Sequence, residues 1–184
     1  MMLLEKRINC NSAGGTGGGA KLWLNPASAV LDDTSPPGIT VTESSGAGTP
    51  RRHVVDFDAA TDEIIYFTFD WRSYATAKVY WYTNDTGANE DAIWAASISA
   101  TTEADADSMA EDAADSANLA AENCNSTEAN RLIVTTITLS NTDSAADGDL
   151  VTMRFWRDAD DSEGNADNDS LTSDARVIGI LLEA

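Results

Sequence analysis

The stretch from Glu63 to Tyr82 limits the fold more than any other part of the chain. It holds two runs, Glu63–Asp70 and Ala77–Tyr82, that carry the densest aromatic and β-branched content of the sequence. Ile65, Phe67 and Phe69 share one face of the first run, and Val79 and Trp81 share one face of the second. This is the period-two pattern of strands packed on one side, so both runs are expected in the core of a sheet protein. The opposite faces hold Ile64, Tyr66, Tyr80 and Tyr82, half-apolar residues suited to a second chain or to a partly wet surface.

Length and charge then narrow the possibilities. A chain of 184 residues supports a single domain, and its pattern gives no sign of two cores. The net charge of −20, from 31 acidic against 11 basic residues, opposes binding to nucleic acid or to an anionic membrane. Cys10 and Cys124 are too few for a disulfide framework and are expected as free thiols. Met1 to Leu4 is too short an apolar run for a signal peptide, and no run approaches membrane-spanning length, so synthesis in the cytoplasm is expected.

Taken in order, residues 1–20 end in a glycine-rich run that holds neither helix nor strand by itself and reads as a flexible arm, either disordered or ordered against a neighbouring subunit. Lys21 to Leu24 is a short strand stopped by Asn25-Pro26. Ile39 to Thr42, Val54 to Phe57, Ala92 to Ser99, Arg131 to Leu139, Leu150 to Arg157 and Ala175 to Leu182 follow as strands. In Leu150–Arg157 the alternation turns Val151, Met153 and Phe155 inward and Arg154 and Trp156 outward. Asp147-Gly148-Asp149 reads as a hairpin-type turn. Residues 101–130 form an acidic, alanine-rich excursion holding at most a short helix, with a weak strand near Asn118 to Asn123. Eight or nine strands separated by turns predict an all-β chain, an antiparallel β-sandwich of jelly-roll type over 21–184 with an extended N-terminal arm over 1–20.

The search for chemistry finds little. His53 is the sole histidine, no serine lies in a nucleophile-elbow context, and no Cys or His pair has zinc-ligand spacing, so no catalytic residue is expected. The acidic run 158–169 is the best chemical candidate. Asp158, Asp160 and Ser162 take the first, third and fifth positions of a calcium loop and Asp169 the twelfth, but Glu163 stands where the sharp turn needs glycine and no helix flanks the loop. Two readings stay open: a solvated acidic loop, or a Ca2+ site of a non-EF-hand kind built on Asp158, Asp160 and Asp169. The cluster Arg51-Arg52-His53 is either a solvated pair of arginines or a docking point for acidic groups.

Several motifs occur in a suggestive order: Ser-Pro-Pro-Gly (35 to 38), Phe-Asp-Ala-Ala-Thr-Asp-Glu (57 to 63), Val-Tyr-Trp (79 to 81), Ile-Trp (93, 94), Val-Thr-Thr-Ile-Thr-Leu (134 to 139), Gly-Asp-Leu-Val (148 to 151) and Arg-Asp-Ala-Asp-Asp (157 to 161). This order resembles small virion proteins of tailed phages that look like jelly-roll head decoration or cement proteins. The resemblance spans roughly residues 35–182. It implies a non-enzymatic structural protein on the capsid surface of a virion, with the major capsid protein and sister subunits of a homotrimer as partners. In that setting Tyr66, Tyr80 and Trp156 would bury against sister subunits, and Arg51, Arg52, Arg154 and Arg157 would pair with acidic partners. The competing expectation is a carbohydrate-binding or receptor-binding module of a phage tail or head fibre, with Trp71, Tyr74, Tyr80 and Tyr82 as a sugar-stacking platform.

Overall fold

The computed structural model describes residues 19–41, 51–86, 90–103, 113–124, 129–164 and 167–184. The glycine-rich arm before residue 19, Cys10 and the middle of the acidic excursion lie outside the described residues. Among the described residues the chain forms β1 (Lys21–Leu24), β2 (Val30–Leu31), β3 (Gly38–Val41), β4 (His53–Phe57), β5 (Ile64–Asp70), β6 (Thr76–Thr83), β7 (Asp91–Thr101), β8 (Asn118–Asn123), β9 (Ile133–Thr138), β10 (Leu150–Arg157) and β11 (Ala175–Glu183). A 3-10 turn, Pro26–Ser28, follows β1 and is capped by the Asn25 side chain, which accepts from Ala27 N at 2.9 Å. Proline at the first position of that turn supplies a fixed φ and ends the strand before it. No helix among the described residues is long and apolar enough to cross a membrane.

The strands build two antiparallel sheets. The first runs β3-β4-β11-β6-β9, with β1 paired to the C-terminal half of β11, and the second runs β2-β5-β10-β7-β8. From β4 to β7 the chain changes sheet at each step, as it does from β8 to β11, which gives an antiparallel β-sandwich of jelly-roll type. The two runs singled out in the sequence are β5 and β6. They lie in opposite sheets and are not hydrogen-bonded neighbours. Asp147-Gly148-Asp149 is a turn, with Gly148 at φ +102°, but it belongs to a crossover from β9 in the first sheet to β10 in the second and closes no hairpin.

The core follows from the alternation. Ile65, Phe67 and Phe69 of β5, Val151, Met153 and Phe155 of β10, and Ala77, Val79 and Trp81 of β6 are all buried between the sheets. An aromatic cluster fills one half of this layer. Trp94 stacks on Phe155 at 5.3 Å between ring centroids and meets Trp81 at 5.6 Å and Phe57 at 5.4 Å edge-on. Trp81 keeps its polar atom satisfied, because Nε1 donates to Thr135 Oγ1 of β9 at 2.8 Å. A second cluster, Phe69, Trp71 and Tyr74, plugs the end of the sandwich where β5 turns into β6.

One expectation is met here and another needs correction. The weak strand near Asn118 is β8, paired along its whole length with β7 from Asn118↔Ala96 to Asn123↔Asp91. Its alanines suit this strand because Ala120 and Ala121 stand opposite the bulky Trp94 and Ile93, small side chains beside large ones. Arg157 also points inward. By register it stands beside Trp94 on the core side, it is wholly buried, and its guanidinium pairs with Asp169 at 2.8 and 2.5 Å while donating to the carbonyls of Asp58, Leu171 and Ser173. A group so fully used within the chain cannot meet an acidic partner on another subunit.

Candidate functional site

The outer face of the first sheet carries an aromatic strip. Tyr80 and Tyr82 alternate with the buried Val79 and Trp81 along β6 and therefore stand on the face away from the core. Across the sheet, Tyr82 opposes Arg176 of β11, and Tyr80 opposes Gly179 on one side and Val134 of β9 on the other. A β-bulge between Val177 and Gly179 inserts one residue into β11 and so places a glycine on the outward row at this point.

Gly179 is where the strip takes its shape. A Cβ at this position would overlap Cζ2, Cε2 and Cη2 of Trp23, so the indole of β1 lies directly on the glycine backbone. Trp23 pairs by register with Leu181, and its ring reaches diagonally back to Gly179, where it meets Tyr80 at 5.2 Å between centroids with planes inclined by 58°. It is nevertheless 45% exposed. An indole held from beneath by main chain and from one side by a tyrosine has little freedom and leaves a ring face to solvent.

Polar groups bracket the strip at both ends. Near Tyr82, the Arg176 guanidinium lies 5.9 Å from the ring centroid and pairs with Asp56 of β4 at 3.3 Å. At the far end, Glu183 accepts from both Lys21 and Lys78, and these two ammonium groups hold its carboxyl below the usual glutamate range. Desolvation pushes the Tyr82 hydroxyl above its ordinary value, so it remains a neutral donor and acceptor. The face thus offers apolar ring surface flanked by fixed hydrogen-bonding groups.

Of the four residues expected to form a stacking platform, only Tyr80 and Tyr82 lie here. Trp71 and Tyr74 are 2% and 5% exposed within the plug at the end of the sandwich, so they are core residues. Trp23 takes their place; its signal in the sequence was the isolated glycine in an otherwise apolar strand, a mark of close approach by other atoms.

The expected subunit-contact residues do not form one patch. Tyr66, Arg154 and Trp156 lie on the outer face of the second sheet, where Arg154 opposes Tyr66, while Tyr80 lies on the opposite side of the molecule. Trp156 is fully buried within the single chain under the Arg154 guanidinium, 4.1 Å from its ring, so it is not an outward anchor. Tyr66 donates to Asp32 Oδ2 at 3.0 Å. Arg51 and Arg52 are exposed just before β4. In the acidic loop, Asp158 and Asp160 come together, but Asp169 does not join them: both its oxygens serve Arg157, and Oδ2 also accepts from Ile93 N. Its place beside the other two is taken by Asp62, from the loop between β4 and β5.

No protein-family model matches this chain, and no curated protein matches it in sequence. Among solved structures, it is similar to a family 11 carbohydrate-binding module from Clostridium thermocellum in complex with a β-1,3-1,4-mixed-linked tetrasaccharide, with 10% identity over 92% of this chain and 98% of that one and a TM-score of 0.49. A family 28 carbohydrate-binding module specific for non-crystalline cellulose gives 10% identity over 85% and 84% and a TM-score of 0.46. The K2 cleaved adhesin domain of Lys-gingipain gives 13% identity over 90% and 100% and a TM-score of 0.45. Likeness at this level of identity transfers no ligand.

Proposed function

We propose that this protein is a non-catalytic carbohydrate-binding module that takes a neutral glycan on the outer face of its first sheet. The observation that carries this reading is Trp23, laid on Gly179 and braced by Tyr80 with its ring still 45% exposed. A sugar ring has an apolar face that stacks on such an aromatic and a rim of hydroxyls that need donors and acceptors at fixed positions. Arg176, Asp56, Lys78 and Glu183 supply these at either end of the strip, already oriented by their mutual pairing. The charge of −20 speaks for a neutral ligand, since an acidic polysaccharide would be repelled on approach.

The test is affinity electrophoresis and calorimetry against a panel of soluble neutral polysaccharides, with Trp23→Ala alongside. Retardation by at least one glycan, lost in Trp23→Ala while the thermal transition is kept, supports the reading. Failure to bind any glycan, or unchanged binding by Trp23→Ala, overturns it.

The capsid-decoration reading has one structural observation in its favour. All four residues of the edge strand β3 are exposed, including Ile39 and Val41, and such an edge is a ready template for another chain. A stable trimer by light scattering, with no glycan affinity, would favour that role.

A further inference from the structure

We propose that Asp62, Asp158 and Asp160 hold a divalent cation of the hard, oxygen-seeking class, calcium, which clips together the two loops that cross between the sheets at one end of the sandwich. This site is independent of the glycan-binding face, because Asp62 lies between β4 and β5 and the other two follow β10.

Each aspartate brings a carboxylate oxygen to within 4.8 Å of the other two. A cation with oxygen ligands at about 2.4 Å fits among oxygens so spaced. Among the described residues none of the three carboxylates is ion-paired with lysine or arginine, and the nearby Arg157 is committed to Asp169 and to main-chain carbonyls.

Proximity of acids would carry little by itself. Asp158 supplies the second observation: its side chain is wholly buried, Oδ1 accepts from Ser162 N at 3.0 Å and Glu163 N at 3.4 Å, and Oδ2 has no hydrogen-bond partner. A buried carboxylate with one bare oxygen beside two further carboxylates is among the costliest arrangements a fold can hold, and a bound cation removes the cost. The neighbours are arranged to aim the ligands. Ala159 N donates to Asp62 Oδ1 at 2.8 Å, and Ser162 N donates to Asp160 Oδ1 at 3.0 Å.

The experiment is a calorimetric and thermal-shift titration of the full chain, first stripped with EDTA, with calcium chloride and separately with magnesium chloride. One-site uptake of calcium with a rise in Tm of about 5–10 °C at a hundredfold excess over Kd is expected. Asp160→Asn, at an exposed position, should keep the EDTA-state Tm and lose most of the calcium shift. Asp158→Asn should be as stable as the wild type in EDTA, or more so, because it removes an uncompensated buried charge, and should show no calcium shift. Absence of heat and of a Tm shift at millimolar calcium, a wild-type shift in Asp160→Asn, or an equal response to magnesium overturns the assignment.

Discussion

Two tryptophans occupy outward positions on the two sheets, and their surroundings differ. Trp23 lies on the first sheet at 45% exposure, held flat by a glycine beneath it, while Trp156 lies on the second at 0% with a guanidinium over its ring. Neighbours of Trp156 on the same face, Ile93 and Ala95, are equally closed off. The alternation that sends a side chain away from the inter-sheet core therefore does not decide whether it meets solvent. What decides it is whether that part of the face is covered in turn, and only an uncovered part keeps ring surface free for a ligand.

The contrast is most sharply tested by removing each ring. Trp156→Ala should cost about 3–5 kcal/mol of stability in urea unfolding, as for other large buried aromatics. Trp23→Ala should cost less than about 1 kcal/mol in the same assay, as at exposed positions generally, while weakening glycan binding about tenfold or more. Equal stability losses would erase the distinction between the faces.

Next in size is the polar support beneath the open face. Thr135→Val leaves the buried Nε1 of Trp81 without its acceptor and should destabilise by about 1–3 kcal/mol in chemical denaturation. Because Trp81 points into the core, glycan affinity should stay near that of the wild type. A smaller stability effect is expected for Gly179→Ala, within about 1 kcal/mol, since loss of strand flexibility offsets the local crowding. Its new methyl has no room under the Trp23 indole, so calorimetry should record weakened binding from a folded protein.

The smallest effect falls beside the second sheet. Hydrogen bonds from Thr34 and Ser35, joined by Tyr66, hold the Asp32 carboxyl well below the usual aspartate range. A depressed value means stability that is complete above the unfolded value of about 4 and is lost as pH falls through the folded one. Asp32→Asn should thus flatten the acid limb of the Tm–pH profile slightly, and a steeper limb would contradict the sign.

Most of the strand pattern was legible because alternation and branched residues leave a strong mark, from β4 through β7 and again in β10 and β11. The two-residue β2 left no such mark, since Val30–Leu31 is too short to alternate. Aromatic type alone misled for Trp71 and Tyr74, which lie in a loop that folds back into the core, and charge alone misled for Arg157. Its position two residues after Phe155 had already placed it on the inward row. The partner of Asp158 and Asp160 could not be read from spacing, because Asp62 reaches them through the crossing of two loops and not along one. Asp169 fitted a linear calcium motif but is required by the buried guanidinium.

The placement of Trp23 on β1 has a further consequence. β1 is four residues long and pairs only with the last residues of β11, so it stands among the elements that open most readily by local fraying. The ring that would grip a ligand is thus mounted on a short strand at the margin of the sandwich. A glycan lying across Trp23 and Tyr80 would bridge β1 to the more firmly held β6, fastening the beginning of the fold and slowing amide exchange there first.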